Sequence, residues 1–165
     1  MKFYIRQKAL SWRDRFTVTD EAGNVAYTVE GELFTWGKKL HVTDPAGNEA
    51  LFISQRIRSF LHRYEVFSGG LRLCTVVREF TLLRPKYTVE GPGWTIDGNF
   101  WGHEYSIMNG VFPVARVSKA WMTWGDCYEL EVYDIENVPA ALAVVLVIDC
   151  VDASNTAAAA AAATT

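Results

Sequence analysis

The chain has 165 residues, of which 50% are hydrophobic and 13% aromatic, and its formal net charge is −3 at pH 7. This length and composition predict one domain with a sizeable core, and they exclude a chain that is disordered throughout. The overall charge gives no indication of a nucleic-acid partner. All 16 Lys and Arg lie at or before Lys119, so a phosphate or membrane ligand is expected to meet the earlier part of the chain.

Strand patterns occupy nearly all of the sequence before Asn137. Two segments alternate between apolar and polar residues on either side of turns at 20–24 and 44–48, which is typical of hairpins. A third hairpin is expected to turn at Gly69 and Gly70, and shorter strand patterns separated by Gly, Asn and Pro follow residue 85. About twelve short strands at a spacing of roughly ten residues predict a closed antiparallel barrel or a sandwich.

The most apolar segment follows these strands, and no side chain between positions 138 and 148 is charged or polar. It is shorter than the roughly 20 apolar residues with which a helix spans a bilayer. Pro139 and the acids just before it favour the start of a buried helix, whereas the β-branched residues also suit a buried strand. A helix would fill the lumen of a closed barrel, because about 14 helical residues and about six strand residues have similar lengths.

An Ala-rich, low-complexity tail ends the chain at residues 154–165. Since it has no apolar stripe to bury, we interpret it as frayed helix or disorder outside a single domain of residues 1–153.

The sequence also repeats itself. The segment YTVEG occurs at 27–31 and again at 87–91, and residues 54–64 are echoed by residues 118–128. We interpret these matches as two similar half-barrels, at about 3–84 and 86–134, that share the C-terminal helix. Neither half could bury its inner face alone, so the two are expected to form one domain.

Three segments together resemble the LURP-one-related family: GELFTWGKKLHVTDPAGNE, ISQRIRSFLHRYEVF, and ELEVYD followed by the apolar segment ending in VIDCVDAS. This family belongs with the tubby C-terminal domain and the phospholipid scramblases. The resemblance implies a tubby-like barrel of twelve strands around a central C-terminal helix. In tubby proteins a basic pair binds the phosphates of phosphatidylinositol bisphosphate. The matching pair here is Arg56 and Arg58, and Lys38 is a looser third match.

The same stretch can be interpreted from its chemistry. On one strand, Arg56 and Arg58 would point to the same face about 6.6 Å apart, and His62 and Arg63 follow with no acid between positions 55 and 64. Two guanidinium groups on one face can bind an anionic phospholipid or phosphoinositide headgroup, or another phosphate. The alternative is a solvated strand face that prevents edge pairing. The second copy of the repeat lacks this pair, because Ala120 and Met122 stand at the corresponding positions.

Other functional classes have less support. The chain lacks a nucleophile elbow and a Gly-rich phosphate loop, and its three His have no paired-ligand spacing, so we expect neither enzyme activity nor a metal or cofactor. Three cysteines without close spacing argue against a disulfide framework. The N-terminus lacks a secretory signal, so we expect a cytoplasmic protein, at most peripheral at a membrane. A protein-interaction module using exposed aromatics such as Trp121 and Trp124 remains the alternative to lipid binding.

Overall fold

The computed structural model describes residues 1–6, 15–32, 37–57, 61–79, 81, 85–100, 102–120 and 127–162, with the backbone alone for 153–161. Twelve strands precede a single turn of 3-10 helix (Ile135–Asn137) and one long helix, α1 (Val138–Ala162). The strands are β1 (Lys2–Arg6), β2 (Phe16–Asp20), β3 (Val25–Gly31), β4 (Lys39–Thr43), β5 (Glu49–Arg56), β6 (His62–Ser68), β7 (Leu71–Glu79), β8 (Lys86–Glu90), β9 (Trp94–Asn99), β10 (Glu104–Asn109), β11 (Phe112–Ala120) and β12 (Cys127–Val132).

Each strand pairs antiparallel with its neighbours in sequence, and β1 closes the barrel by pairing with β12. The closing register places Lys2 opposite Glu131 and Arg6 opposite Cys127. Closure removes the free strand edges that would otherwise invite aggregation. The predicted closed barrel of twelve antiparallel strands is therefore confirmed.

Helix α1 occupies the lumen of this barrel. The strands alternate between inward apolar and outward polar side chains, as in β12, where Tyr128, Leu130 and Val132 are buried. Helix residues 141–148 are at most 2% exposed on every face, which explains why the segment has no polar stripe. The helix interpretation is confirmed, and the alternative of a buried strand is wrong.

Different features determine where α1 begins and where it ends. Asp134 caps the 3-10 turn by accepting a hydrogen bond from the Glu136 backbone N–H at 3.1 Å, and α1 begins at Val138 with Pro139 in its first turn. At the other end the helical backbone continues to Ala162. Ala has the highest helix propensity of all residues. This accounts for the helical backbone of the Ala-rich tail, for which frayed helix and disorder were both expected. The domain boundary at 153 stays a prediction.

The antiparallel order gives the barrel two distinct ends. We call one the turn end, where β2–β3, β4–β5, β6–β7, β8–β9, β10–β11 and β12–α1 are joined, and the other the loop end. The predicted turns at the turn end are confirmed: Asp20 Oδ1 accepts hydrogen bonds from the backbone N–H of Ala22 at 2.9 Å and Asn24 at 2.8 Å, and Asp44 receives the corresponding bond from Asn48. Helix α1 enters the barrel at the turn end and leaves at the loop end.

The internal repeat matches the topology in part. Arg56 pairs with Arg63 across β5 and β6, and Ala120 pairs with Cys127 across β11 and β12, so residues 54–64 and 118–128 occupy equivalent places six strands apart. The two YTVEG copies lie on β3 and β8, which are five strands apart. The half-barrels drawn at 3–84 and 86–134 accordingly contain seven and five strands, so this division does not cut the barrel into equal halves.

Within the described part of the chain, no helix is long and apolar enough to cross a membrane. The cytoplasmic location stays a prediction.

The cysteines are expected to remain thiols when the protein is purified without reductant. Burial raises the pKa of the Cys74 thiol to about 12 and that of Cys150 well above its ordinary value, and a protonated thiol is a poor nucleophile. Alkylation of the native protein should therefore modify the half-buried Cys127 before the other two, and denaturation should make all three reactive. Intact mass spectrometry measures this order. A native mass lower by two hydrogens would show a disulfide and contradict the prediction.

Candidate functional site

The basic residues predicted to bind an anion lie at the loop end of the barrel. Arg56 ends β5, His62 and Arg63 begin β6, and Lys38 precedes β4. Arg58 lies outside the described residues, so the predicted pairing of Arg56 with Arg58 on one strand face stays a prediction. The other four do not form one group, because strand alternation sends two of them outward and two towards the lumen.

Arg56 and Arg63 belong to the outer face, where acids of neighbouring strands meet them. The Arg56 Nη1 lies 3.7 Å from Glu65 Oε1, and Arg63 Nη1 donates to both carboxylate oxygens of Glu90 at 2.8 and 2.7 Å. Glu65 is shared with Arg72, whose Nη1 lies 3.6 Å away. Two guanidinium groups therefore share one carboxylate, and the outer face keeps a local excess of positive charge.

Lys38, His62 and Arg78 form a second group, which we call the mouth cluster because it surrounds the point where α1 leaves the lumen. His62 is opposite Arg78 in the β6–β7 pairing, and opposed side chains on one sheet face are about 5 Å apart at Cβ. The Lys38 Nζ donates to the Cys150 carbonyl of α1 at 3.1 Å. The mouth cluster was missed as a unit, because Arg78 lies on another strand and local sequence gives no sign of it.

The approach of two backbones holds Lys38 in place. Gly37 has φ +86°, and a Cβ there would lie 2.8 Å from the Ile57 side chain and 3.1 Å from the Gln55 carbonyl oxygen, so only glycine fits without displacement. Next to it, the Lys38 carbonyl accepts from the Gln55 backbone N–H at 2.7 Å. The segment before β4 is thus fixed against the end of β5, which brings Lys38 near the mouth.

The electrostatics of the mouth cluster reflect crowding of positive groups. Burial lowers the pKa of Lys38. Burial also lowers the pKa of His62, and the positive charges of Arg78 and Lys38 lower it further. These positive groups repel one another and so disfavour one another's protonation. A bound anion would relieve that repulsion, which favours its binding.

A buried polar network lies deeper in the same end of the barrel, and sequence reasoning did not find it. His103 Nε2 and Asp149 Oδ1 are 3.2 Å apart, and the Tyr128 hydroxyl donates to Asp149 Oδ2. The His103 ring stacks on Tyr128 with a centroid distance of 4.5 Å, and the backbone at His103 has φ +51°. The network joins α1 to β12 and to the β9–β10 connection.

Burial assigns this network a structural role. The side chains of His103 and Asp149 are 7% and 1% exposed, so a substrate could not reach them without opening the barrel. Asp149 could have been noticed, because one carboxylate inside an apolar helix requires a hydrogen-bond partner. Its partners could not be identified, since they lie 46 and 21 residues away.

Two other predictions concern an aromatic docking patch and a metal site. Trp121 and Trp124 lie outside the described residues, so an aromatic docking patch there stays a prediction. Among the described residues, no group of three or more His, Cys, Asp or Glu is arranged to hold a metal ion.

A closed barrel of twelve antiparallel strands, filled by one C-terminal helix and basic at one mouth, is a tubby-like barrel domain. A family model described as LURP-one-related matches residues 1–150, and the chain belongs to this family. The resemblance stated from the sequence is therefore confirmed.

One relative and one solved structure extend this comparison. The uncharacterised protein YxjI of Bacillus subtilis (strain 168) is 34% identical over 151 residues, which cover 92% of this chain and 93% of that protein. An Arabidopsis thaliana protein solved by X-ray crystallography has a similar fold, with a TM-score of 0.61 and 18% identity over 93% of this chain and 90% of that one. The second likeness concerns the fold alone.

Proposed function

We propose that this protein is a non-enzymatic binding module for anionic phosphate groups, and that its ligand is a phospholipid or phosphoinositide headgroup at a membrane surface. The observation that carries the proposal is the convergence of Lys38, His62 and Arg78 at the mouth of the barrel, beside Arg56 on the outer rim. Basic side chains from four different strands or loops thus lie at one end of the molecule.

The chemistry of this end suits a phosphate. Arg78 supplies a planar guanidinium that can bind two oxygens at once, and the Lys38 ammonium supplies a compact point charge. A phosphate between them would also favour the protonated form of His62, whose pKa is lowered by burial and by the charges of Arg78 and Lys38. Ligand binding and proton uptake at His62 are therefore coupled in this proposal.

The acids of the outer face reduce what its arginines can contribute to anion binding. Glu90 engages Arg63 with two short contacts, so Arg63 contributes less than its charge implies. Arg56 is 61% exposed, and its contact with Glu65 is long, at 3.7 Å. Exposed ion pairs of this kind are worth about 0–1 kcal/mol. A multiply charged headgroup can displace such a contact at little cost.

The double change Arg56→Ala, Arg58→Ala is expected to weaken binding to anionic headgroups while leaving stability nearly unchanged. Charge-assisted hydrogen bonds are worth roughly 1.5–3 kcal/mol each, so at least a tenfold loss of affinity is expected. Binding should also fall with added salt, because exposed charges are screened beyond about 8–10 Å near physiological ionic strength. The measurement is a titration against liposomes with and without phosphoinositide.

Two further variants make this test specific. Arg78→Ala removes the guanidinium of the mouth cluster and should weaken binding on its own. Lys119→Ala removes an exposed positive charge from the strand equivalent to β5 in the second repeat, where the pair is absent, and should have a smaller effect. Absence of wild-type binding at low salt, or equal affinity of the double variant, would contradict the lipid proposal and favour the solvated-face interpretation.

A further inference from the structure

A second candidate site lies at the opposite, turn end of the barrel. A pocket of about 480 Å³ opens beside the start of α1, lined among others by Phe3, Ala26, Tyr27, Ile135 and Val138. Its volume falls within the roughly 300–1,000 Å³ that is typical of small-ligand pockets. The Phe3 and Tyr27 rings form one wall, with centroids 5.9 Å apart, and the small side chain of Ala26 leaves the space open.

Exposed apolar side chains line this pocket, and others lie elsewhere at the same end of the barrel. Ile135 is 67% exposed and Met1 54%, and both line it. Tyr133, 53% exposed, donates its backbone N–H to the Val114 carbonyl of β11 at 3.1 Å, and Phe112 at the start of the same strand is 72% exposed. Soluble monomers rarely leave neighbouring large apolar side chains uncovered over a wide area unless that area binds something.

Acidic residues identify the kind of partner. The six connections at the turn end, all within the described part of the chain, carry only negative charge among Lys, Arg, Asp and Glu. The acids in these connections are Glu21, Asp44, Asp134 and Glu136, and Asp20 lies next to them at the end of β2. Two positive groups also line the pocket, and both are engaged: the Met1 ammonium donates to the Val132 carbonyl at 3.0 Å, and the Lys2 Nζ is paired with Glu129 at 2.8 Å. An anionic membrane would be repelled by this end, whereas a basic partner would be attracted.

We propose that the turn-end pocket docks a basic segment of a partner protein, which inserts one apolar side chain between Tyr27 and Ile135. Lys or Arg residues beside that anchor pair with Glu21, which lines the pocket, and with Glu136, which follows the pocket residue Ile135 in the chain; we call these two acids the rim. The barrel then has two faces of opposite character, a basic loop end and an acidic, apolar turn end. The second face works independently of the headgroup proposal.

The test is a selection of random peptides displayed on phage against immobilised full-length protein. The selection includes depletion on the variant Ala26→Trp, whose indole fills the pocket. The enriched peptides should share a large apolar residue next to Lys or Arg. A synthetic peptide of the most enriched sequence should bind wild type, and Ala26→Trp should weaken it at least about tenfold, because the anchor loses its buried site.

Matched variants separate the pocket from the rest of the surface. Ala46→Trp adds the same side chain to an exposed turn at the same end and should leave peptide affinity unchanged. Glu136→Lys reverses a rim charge and should weaken binding roughly two- to fivefold, while Glu104→Lys, at the exposed start of β10 at the loop end, should not. Arg56→Ala, Arg58→Ala should bind the peptide normally, which keeps this result distinct from the headgroup test.

Four outcomes would overturn the proposal. These are a failure to enrich any peptide, enrichment of acidic peptides, and equal affinity of Ala26→Trp and Ala46→Trp. The fourth is evidence for a different occupant of the pocket. Either wild type binds anionic vesicles or it forms a concentration-dependent dimer, and Ala26→Trp loses that binding. Thermal melting of Ala26→Trp checks that the variant is folded, and Glu136→Lys tests the charge requirement without altering the core.

Discussion

Leu146→Asp is expected to produce a chain that does not fold cooperatively. Leu146 lies in the part of α1 that the barrel encloses and is 0% exposed. A carboxylate placed there would be buried without a partner, which costs several kcal/mol against a total stability of about 5–15 kcal/mol. Urea unfolding followed by circular dichroism measures the loss.

Leu71 provides the matched control for this change. It is 78% exposed at the start of β7, so Leu71→Asp introduces the same charge from the same residue type into water. Its stability should stay within about 0.5 kcal/mol of wild type. A soluble Leu146→Asp protein with a sharp unfolding transition would show that α1 is not required inside the barrel.

The architecture was predictable because two simple patterns agree. Strands of a barrel must alternate, as Tyr128, Leu130 and Val132 do, and a helix that fills the lumen must be apolar on all faces, as residues 141–148 are. Neither pattern fixes the length of a helix that leaves the barrel, and the backbone of α1 continues to Ala162. Hydrophobic burial therefore encodes the enclosed part of the helix and is silent about the rest.

The candidate site was less predictable, because its geometry depends on pairing between strands. Residue spacing on β6 shows that His62 and Tyr64 share a face, but only the register brings Arg78 opposite His62. The same limit applies to Glu90, which binds Arg63 from 27 residues away. Local sequence suggested an uninterrupted basic stretch, whereas the folded barrel divides it into an outer, acid-paired group and the mouth cluster.

Asp149 is the second residue for which a large effect is expected, because its carboxyl lies inside the barrel at the loop end. Burial raises the pKa of Asp149 from its ordinary value of 3.8 to about 6; the hydrogen bond and charge of His103 oppose this shift, and the charge of Asp152 adds to it. Tyr128 donates to the same carboxylate, and Tyr105, also buried, lies near enough to sense its charge. The folded protein thus binds a proton at Asp149 more tightly than the unfolded chain does.

Wild type should therefore gain stability relative to Asp149→Asn as the pH falls from above 6 to below 4. Above the folded pKa of about 6, the native state carries the full cost of the buried charge. That cost is relieved between about 6 and 3.8 as the folded carboxyl takes up its proton, and a shift of about two pKa units corresponds to on the order of 3 kcal/mol. Asn has a similar shape and no proton to bind, so its stability lacks this component.

Urea unfolding of both proteins at several pH values gives the difference curve that tests this prediction. Other carboxylates contribute stability that is lost in acid. One is Asp20, whose pKa is lowered by its hydrogen bonds with Asn24 and the turn backbone. Both proteins lose this contribution equally, so it cancels in the difference. The remaining curve should fall with rising pH and level off above about 6. Parallel stability curves for wild type and Asp149→Asn would mean that the pKa of Asp149 is the same in the folded and unfolded protein, and they would contradict the prediction.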